Sequence, residues 1–223
     1  MVHKENFLAL LVGVLAMTMW SQADEVVELE RLHPNIAAFY TTSENIWSYN
    51  LGAHAGVFCR VDFNINTGST GTSFYRYQES NERTKELAAL RSSKMVKYTL
   101  TAKFRHTYPN DQGPFDTMDV TYPGGKISTE VIAVQSADNK CAIFKVKPPE
   151  RTLHARRLRE HIEFRVKDSA NSEEERKNCF DQIKDFEEGM TRVAPGITTP
   201  WMMPSCQTKC TRDITCAKPM PTK

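Results

Sequence analysis

The side chains best able to do chemistry in this chain of 223 residues are its six cysteines, Cys59, Cys141, Cys179, Cys206, Cys210 and Cys216. An even number of cysteines in an oxidising compartment reads as up to three disulfides, and the fifteen possible pairings stay open at this level. The run Cys206-x3-Cys210-x5-Cys216 has a spacing that zinc also accepts, but no histidine lies nearby, so disulfides are the expectation. The histidines at 3, 33, 54, 106, 154 and 161 fall at no metal-ligand spacing. Neither a metal nor a cofactor is therefore expected. There is no Gly-x-Ser-x-Gly elbow, no His-Glu-x-x-His pair and no phosphate-binding glycine loop, so the chain is not read as an enzyme. The Ser/Thr-rich turn around Gly68 and Gly71 lacks a lysine in position and reads as a hairpin. The most basic stretch, Arg151 to Arg159, is read as a solvated loop or strand end. A formal net charge of +2 gives no support to a nucleic-acid partner.

These residues must be positioned by a fold, and the N-terminus says where that fold is made. Lys4 precedes an apolar run from Phe7 to Met19, and Ser21-Gln22-Ala23 supplies small residues for cleavage, the three parts of a secretory signal. The run is too short to cross ~30 Å of hydrocarbon as a helix. The expectation is a signal peptide over 1–23, a secreted and extracellular mature chain with no membrane association, one domain over 24–189, and a Pro/Thr/Cys-rich tail over 190–223 held by disulfides. A monomer is expected.

Within the domain, a short helix is predicted over Ile36 to Tyr40, and a first strand lies within Asn45 to Leu51. Period-two alternation then marks strands from Val57 to Ile65, Ser73 to Gln78, Val96 to Phe104 and Met118 to Tyr122, the last ending at Pro123-Gly124-Gly125. Further strands are read over Ile127 to Val134, Lys140 to Lys147 and His161 to Val166. Ala88 to Leu90 is read as either a strand start or loop. No helices intervene to connect parallel strands, so the sheet is antiparallel, and closure on itself removes its exposed edges. After the strands, Ser172 caps a helix that runs to about Glu188, where Gly189 stops it. Cys179, Ile183 and Phe186 form its apolar stripe. The fold class is all-β: an eight-stranded antiparallel barrel with a short N-terminal helix, a C-terminal α-helix packed on the barrel and a cysteine-rich tail.

The order of these elements, together with Cys-Arg-Val-Asp-Phe (59–63), Phe-Tyr-Arg-Tyr (74–77), Lys-Cys-Ala-Ile-Phe-Lys-Val (140–146), Glu-Phe-Arg-Val-Lys-Asp-Ser (163–169) and Cys-Phe-Asp-Gln-Ile-Lys-Asp-Phe (179–186), resembles the lipocalins of tick saliva, the group that includes the histamine-binding proteins. The resemblance covers roughly residues 36–189. It implies a lipocalin barrel and a Cys59–Cys179 disulfide, a pairing that also suits the place of Cys179 on the apolar stripe. Ile162 fills the position where relatives often carry a further cysteine. Cys141 is therefore expected to pair with one of the tail cysteines, and the other two with each other.

What the resemblance implies about function is a cavity that sequesters a host mediator, either a fatty acid or eicosanoid or a biogenic amine such as histamine. A barrel of eight strands holds one small ligand. The expected inward residues are Val57, Val61, Phe63, Tyr75, Tyr77, Tyr98, Leu100 and Phe104. Ala142 and Arg165 stand where amine-binding relatives carry an acid and a tryptophan, while Glu163 is retained. The expected ligand contacts are Tyr75, Tyr77, Tyr98, Leu100, Phe104, Glu163 and Arg165, with Arg165 meeting an organic anion or Glu163 meeting an amine. The rival expectation is a module that binds a host plasma protein of complement or haemostasis through its surface.

Overall fold

The computed structural model describes residues 33–51, 59–79, 95–149 and 160–183. Helix α1 (Ile36–Tyr40) leads into strands β1 (Ile46–Asn50), β2 (Cys59–Thr67), β3 (Gly71–Glu79), β4 (Met95–Arg105), β5 (Thr117–Tyr122), β6 (Lys126–Gln135), β7 (Cys141–Lys147) and β8 (His161–Lys167). A 3-10 turn (Asp168–Ala170) and helix α2 (Glu173–Ile183) follow. Each strand pairs with the next in antiparallel register, and β1 pairs with β8, so the sheet is a closed barrel of eight strands. The period-two pattern is the cause: every strand offers one face to the lumen and one to the outside.

Local chemistry sets the turns. Gly124 and Gly125 adopt φ of 82° and 72°, the left-handed region in which a side chain is strained, and they close β5 onto β6 at the expected Pro-Gly-Gly. A Cβ at Gly71 would stand 2.3 Å from the carbonyl oxygen of Ala102, so only glycine lets β3 lie this close to β4. In β2 the register shifts between Phe63 and Asn66, with Asn64 at φ 55°. This bulge breaks the alternation read from sequence: Phe63 faces out, while Ile65 packs against the inner cluster.

One end of the barrel is filled by α1. Asn35 caps the helix by accepting from the Ala38 N–H at 2.9 Å. Ile36 donates to the Phe115 carbonyl at 2.8 Å, and Asn139 Nδ2 donates to the Ala38 carbonyl at 2.8 Å. Thr67 Oγ1 donates to the Tyr40 carbonyl at 2.6 Å. Ile36, Phe39 and Tyr40 are thereby buried inside with Phe74, Leu100, Phe104, Met118, Ile132 and Phe144.

The second apolar cluster lies outside the sheet. Trp47, Tyr49, Val61, Tyr77, Cys141, Ile143, Phe164 and Val166 meet Cys179, Phe180 and Ile183 of α2. The Ser172 Oγ caps α2 by accepting from the Glu175 N–H at 3.1 Å, as its sequence predicts. Phe180 meets Phe164 edge to face at 5.6 Å between ring centres.

Cys179 is bonded to Cys141, not to Cys59. The expected Cys59–Cys179 pair is corrected by this bond, and so is the expected bond from Cys141 to the tail. The reason is topological. Helix α2 lies over β7, where Cys141 opens the strand with its Cα 6.2 Å from that of Cys179. Cys59 opens β2, three strands away, roughly 14 Å at ~4.8 Å per strand. The signal peptide, the strand or loop near Ala88, Val57, the basic run 151–159, the end of α2 near Glu188 and Gly189, and the tail with Cys206, Cys210 and Cys216 lie outside the described residues.

Candidate functional site

The lumen is decided by the charged residues of four strands. Arg76 on β3 reaches Glu130 on β6 at 2.6 Å, a contact between strands three apart that exists only across the lumen. Arg165 on β8 meets the same Glu130 at 2.6 Å. Arg76 also forks onto Asp62, with Nε–Oδ1 2.6 Å and Nη2–Oδ2 2.8 Å. Arg165 grips Glu163 at 2.6 Å, and Arg60 meets Glu163 at 2.7 Å. Among the described residues, three guanidiniums and three carboxylates thus balance in this one layer of the barrel.

Phenols complete the set. Tyr40 donates to Asp62 Oδ2 at 3.1 Å and accepts from Arg165 Nη1 at 2.7 Å. Tyr122 accepts from Arg76 Nη1 at 3.0 Å. The Arg165 guanidinium lies 4.0 Å from the Phe144 ring centre, and Arg76 lies 5.1 Å from that of Phe74. Asp62, Arg76, Glu130, Glu163 and Arg165 are all fully buried.

Charges this deep survive only because each is paired. Burial by itself raises the pKa of Glu130, but Arg165 and Arg76 outweigh it and bring the group down from 4.5 to about 2. Glu163 is held well below the carboxylate range in the same way, with Arg60 and Arg165 outweighing burial. Arg165 stays above its ordinary value despite burial, because Glu130, Tyr40 and Glu163 surround it. Burial pushes the Tyr40 phenol well up, so it remains a neutral donor.

Once Arg76 is inside, its neighbours on β3 must be outside. Tyr75 and Tyr77 therefore line the outer face, and with them Val61 and Phe63 of β2. The expectation that these four face the lumen is corrected. Phe63 stacks on Tyr77 at 5.0 Å and 5°, and Lys97 Nζ stands 4.1 Å over the Tyr75 ring. Tyr98, Leu100, Phe104, Glu163 and Arg165 do face inward. Leu100 and Phe104 pack in the apolar cluster below the charges, against α1. Tyr98 lies half-buried, edge to face with Tyr122 at 5.5 Å.

Glu163 and Arg165, taken from sequence as alternative partners for a ligand, are partners of each other. No family model and no curated protein matches this chain. The site must be read from its own chemistry.

The residues missed in the sequence are Tyr40, Arg60, Asp62, Arg76, Tyr122, Glu130 and His161. A signal for them does exist. Arg60/Asp62 and Glu163/Arg165 are opposite charges two residues apart on one strand face, a spacing that puts both on the same side of a sheet. At the end of the barrel away from α1 the inward side chains are half-buried: Gln78, Val96, Tyr98, Tyr122 and His161. His161 Nε2 lies 2.9 Å from Glu163 Oε1, with its side chain 21% exposed. A hollow of about 340 Å³ on the outer face, lined by Lys126, Ile127, Thr129 and Lys147, is separate from this lumen. Among the described residues no group of three His, Cys, Asp or Glu side chains could hold a metal ion.

Proposed function

We propose that this chain is a secreted binding protein of the lipocalin kind, holding one small organic ligand in the half of the barrel away from α1. The charged layer is the floor of that site, and Gln78, Tyr98, Tyr122 and His161 are its walls. The resemblance to tick salivary lipocalins makes the ligand a host mediator. The observation that carries the ligand class is the occupancy of the carboxylates. Asp62, Glu130 and Glu163 each accept from at least one guanidinium at 2.7 Å or less. A protonated amine therefore meets no uncommitted carboxylate in this layer among the described residues, and it would have to displace an arginine. An organic anion with an apolar body, such as a fatty acid, fits better. Arg60 and His161 are the first inward residues of β2 and β8 on that side, and the phenol rings suit an apolar chain.

Native mass spectrometry of the protein secreted from eukaryotic cells, followed by calorimetric titration with arachidonic acid and with histamine, tests this reading. Heat is expected from arachidonic acid alone. Heat from histamine alone would overturn the assigned class. Heat from neither, with no co-purified small molecule, would favour the second reading, a module that binds a host protein through its surface. That reading has its own support, because α1 and the charged layer fill the rest of the lumen with protein.

A further inference from the structure

On β4 to β7 the inward positions include Leu100, Phe104, Val120, Ile132 and Val146, so the residues between them form one outer face of four adjacent strands. The charged side chains of that face are Lys97, Lys103, Arg105, Asp119, Lys145 and Lys147. Five cations thus stand against one carboxylate, in a chain whose formal net charge is only +2. That carboxylate is already committed. Arg105 Nε meets Asp119 Oδ2 at 2.8 Å, and Thr129 Oγ1 donates to Asp119 Oδ1 at 2.9 Å. Lys103, Lys145 and Lys147 make no ion pair among the described residues. Exposed Glu160, one residue before β8, is the acid at the edge of the face. Other acids lie away from it, as on α2, which opens with exposed Glu173, Glu174 and Glu175.

Strand register gives the cations a regular layout. Lys103, Asp119, Thr129 and Lys147 are direct neighbours across β4, β5, β6 and β7. Two lysines therefore bracket the neutralised pair, about 14 Å apart at ~4.8 Å per strand. At one end of this row the hollow of about 340 Å³ opens, lined by Gly125, Lys126, Ile127, Thr129, Lys147 and Pro148. Ile127 is 55% exposed there, the one exposed large apolar side chain among the described residues of this face.

We propose that the outer face of β4 to β7 docks a linear sulfated polysaccharide, with one sugar ring in the hollow and sulfates along the chain meeting Lys103, Lys126 and Lys147. Chemistry selects that occupant. A protein interface needs an apolar or aromatic centre, which Ile127 alone does not supply. A single-stranded nucleic acid needs rings for its bases to stack on, and no outward residue of β4 to β7 is aromatic. A sulfated chain needs repeated cations and hydroxyl groups. Lysines without carboxylate partners receive a sulfate without breaking an ion pair, and exposed Thr99, Thr101 and Thr121 supply the hydroxyls. The C–H face of a sugar ring packs on Ile127. Docking here leaves the lumen free, and for a secreted protein it retains the binder at cell surfaces and matrix.

The test passes the secreted full chain over immobilised heparin at about 0.15 M ionic strength. The unmutated protein is expected to be retained, to be released as salt rises, and to ignore heparin stripped of its sulfates. Lys147→Ala is expected to weaken binding a few-fold, and Lys103→Ala/Lys126→Ala/Lys147→Ala about tenfold, with Tm unchanged because all three side chains are exposed. Lys177→Ala, on the acidic helix α2, is expected to change nothing. No retention of the unmutated chain, or a loss for Lys177→Ala equal to that for Lys147→Ala, would overturn the assigned face. Retention by phosphatidylserine vesicles with none by heparin would overturn the assigned occupant in favour of a membrane surface.

Discussion

Glu130→Gln removes the one carboxylate that joins Arg76 and Arg165, at 2.6 Å from each, while keeping the side chain's shape. Three buried guanidiniums would then face two carboxylates. Removing one partner of a buried pair costs ~3–5 kcal/mol, because the charge left behind has no solvent. The lowered pKa of Glu130, which Arg165 and Arg76 cause against burial, points the same way. The pKa of Glu130 is about 2 in the fold against 4.5 for the free group, which at ~1.4 kcal/mol per unit is about 3 kcal/mol. For a chain of this size the loss corresponds to a fall in Tm of roughly 10 °C. Urea denaturation at neutral pH, with disulfides intact, measures it.

Because the folded pKa is depressed, the stabilisation is fully present above about pH 4.5 and is lost as pH falls through about 2. The unmutated protein is therefore expected to lose stability over that window more steeply than Glu130→Gln. Adding Arg76→Gln to Glu130→Gln restores the charge balance and should recover part of the loss, with a coupling of ~1–3 kcal/mol. A cost below ~1 kcal/mol for Glu130→Gln, or equal acid slopes for the two proteins, would refute a dry, charge-balanced lumen.

Two further outcomes follow from the geometry. Replacing both Cys141 and Cys179 with alanine opens a loop of 38 residues and should cost about 4 kcal/mol by chain entropy, read by denaturation under non-reducing conditions. Tyr98→Ala, on the inner face, should weaken binding of arachidonic acid by roughly tenfold, the order of one buried aromatic contact, while Tyr75→Ala, on the outer face, should leave it unchanged in the same calorimetric assay.

The eight strands, the two helices and the Ser172 cap were legible because each depends on local signals: alternation, Pro-Gly-Gly, a Ser before a helix. The phase of the strands was not. Sequence alternation identifies an apolar face, and it places that face inside only when the other face meets water. Here β2 and β3 carry Val61 and Tyr77 into a cluster covered by α2, so both faces of the sheet are buried in this region. The apolar face is the outer one, and the bulge at Asn64 then returns Ile65 to the lumen. The disulfide was misassigned for a related reason. Cys179 was correctly placed on the buried stripe of α2, but a helix stripe does not say which strand lies beneath it.

The same inversion changes how ligand charge must be argued. From sequence, Arg165 and Glu163 offered a choice between an anion and an amine, as if each were free to receive one. Two opposite charges at i and i+2 on one strand face stand close enough to satisfy each other, and with Arg60 and Glu130 they do. Neither can receive a ligand without leaving a partner buried and unpaired, at a cost larger than the ~1.5–3 kcal/mol that one charge-assisted hydrogen bond returns. In the proposed binding site, selectivity for charge is therefore displaced from the centre of the layer to its margin. There His161 is partly exposed above Glu163, and Arg60 meets Glu163 at 2.7 Å with Glu130 4.0 Å away. An arriving ammonium would have to take Glu163 from Arg60 and Arg165 together, 2.7 Å and 2.6 Å from its carboxylate.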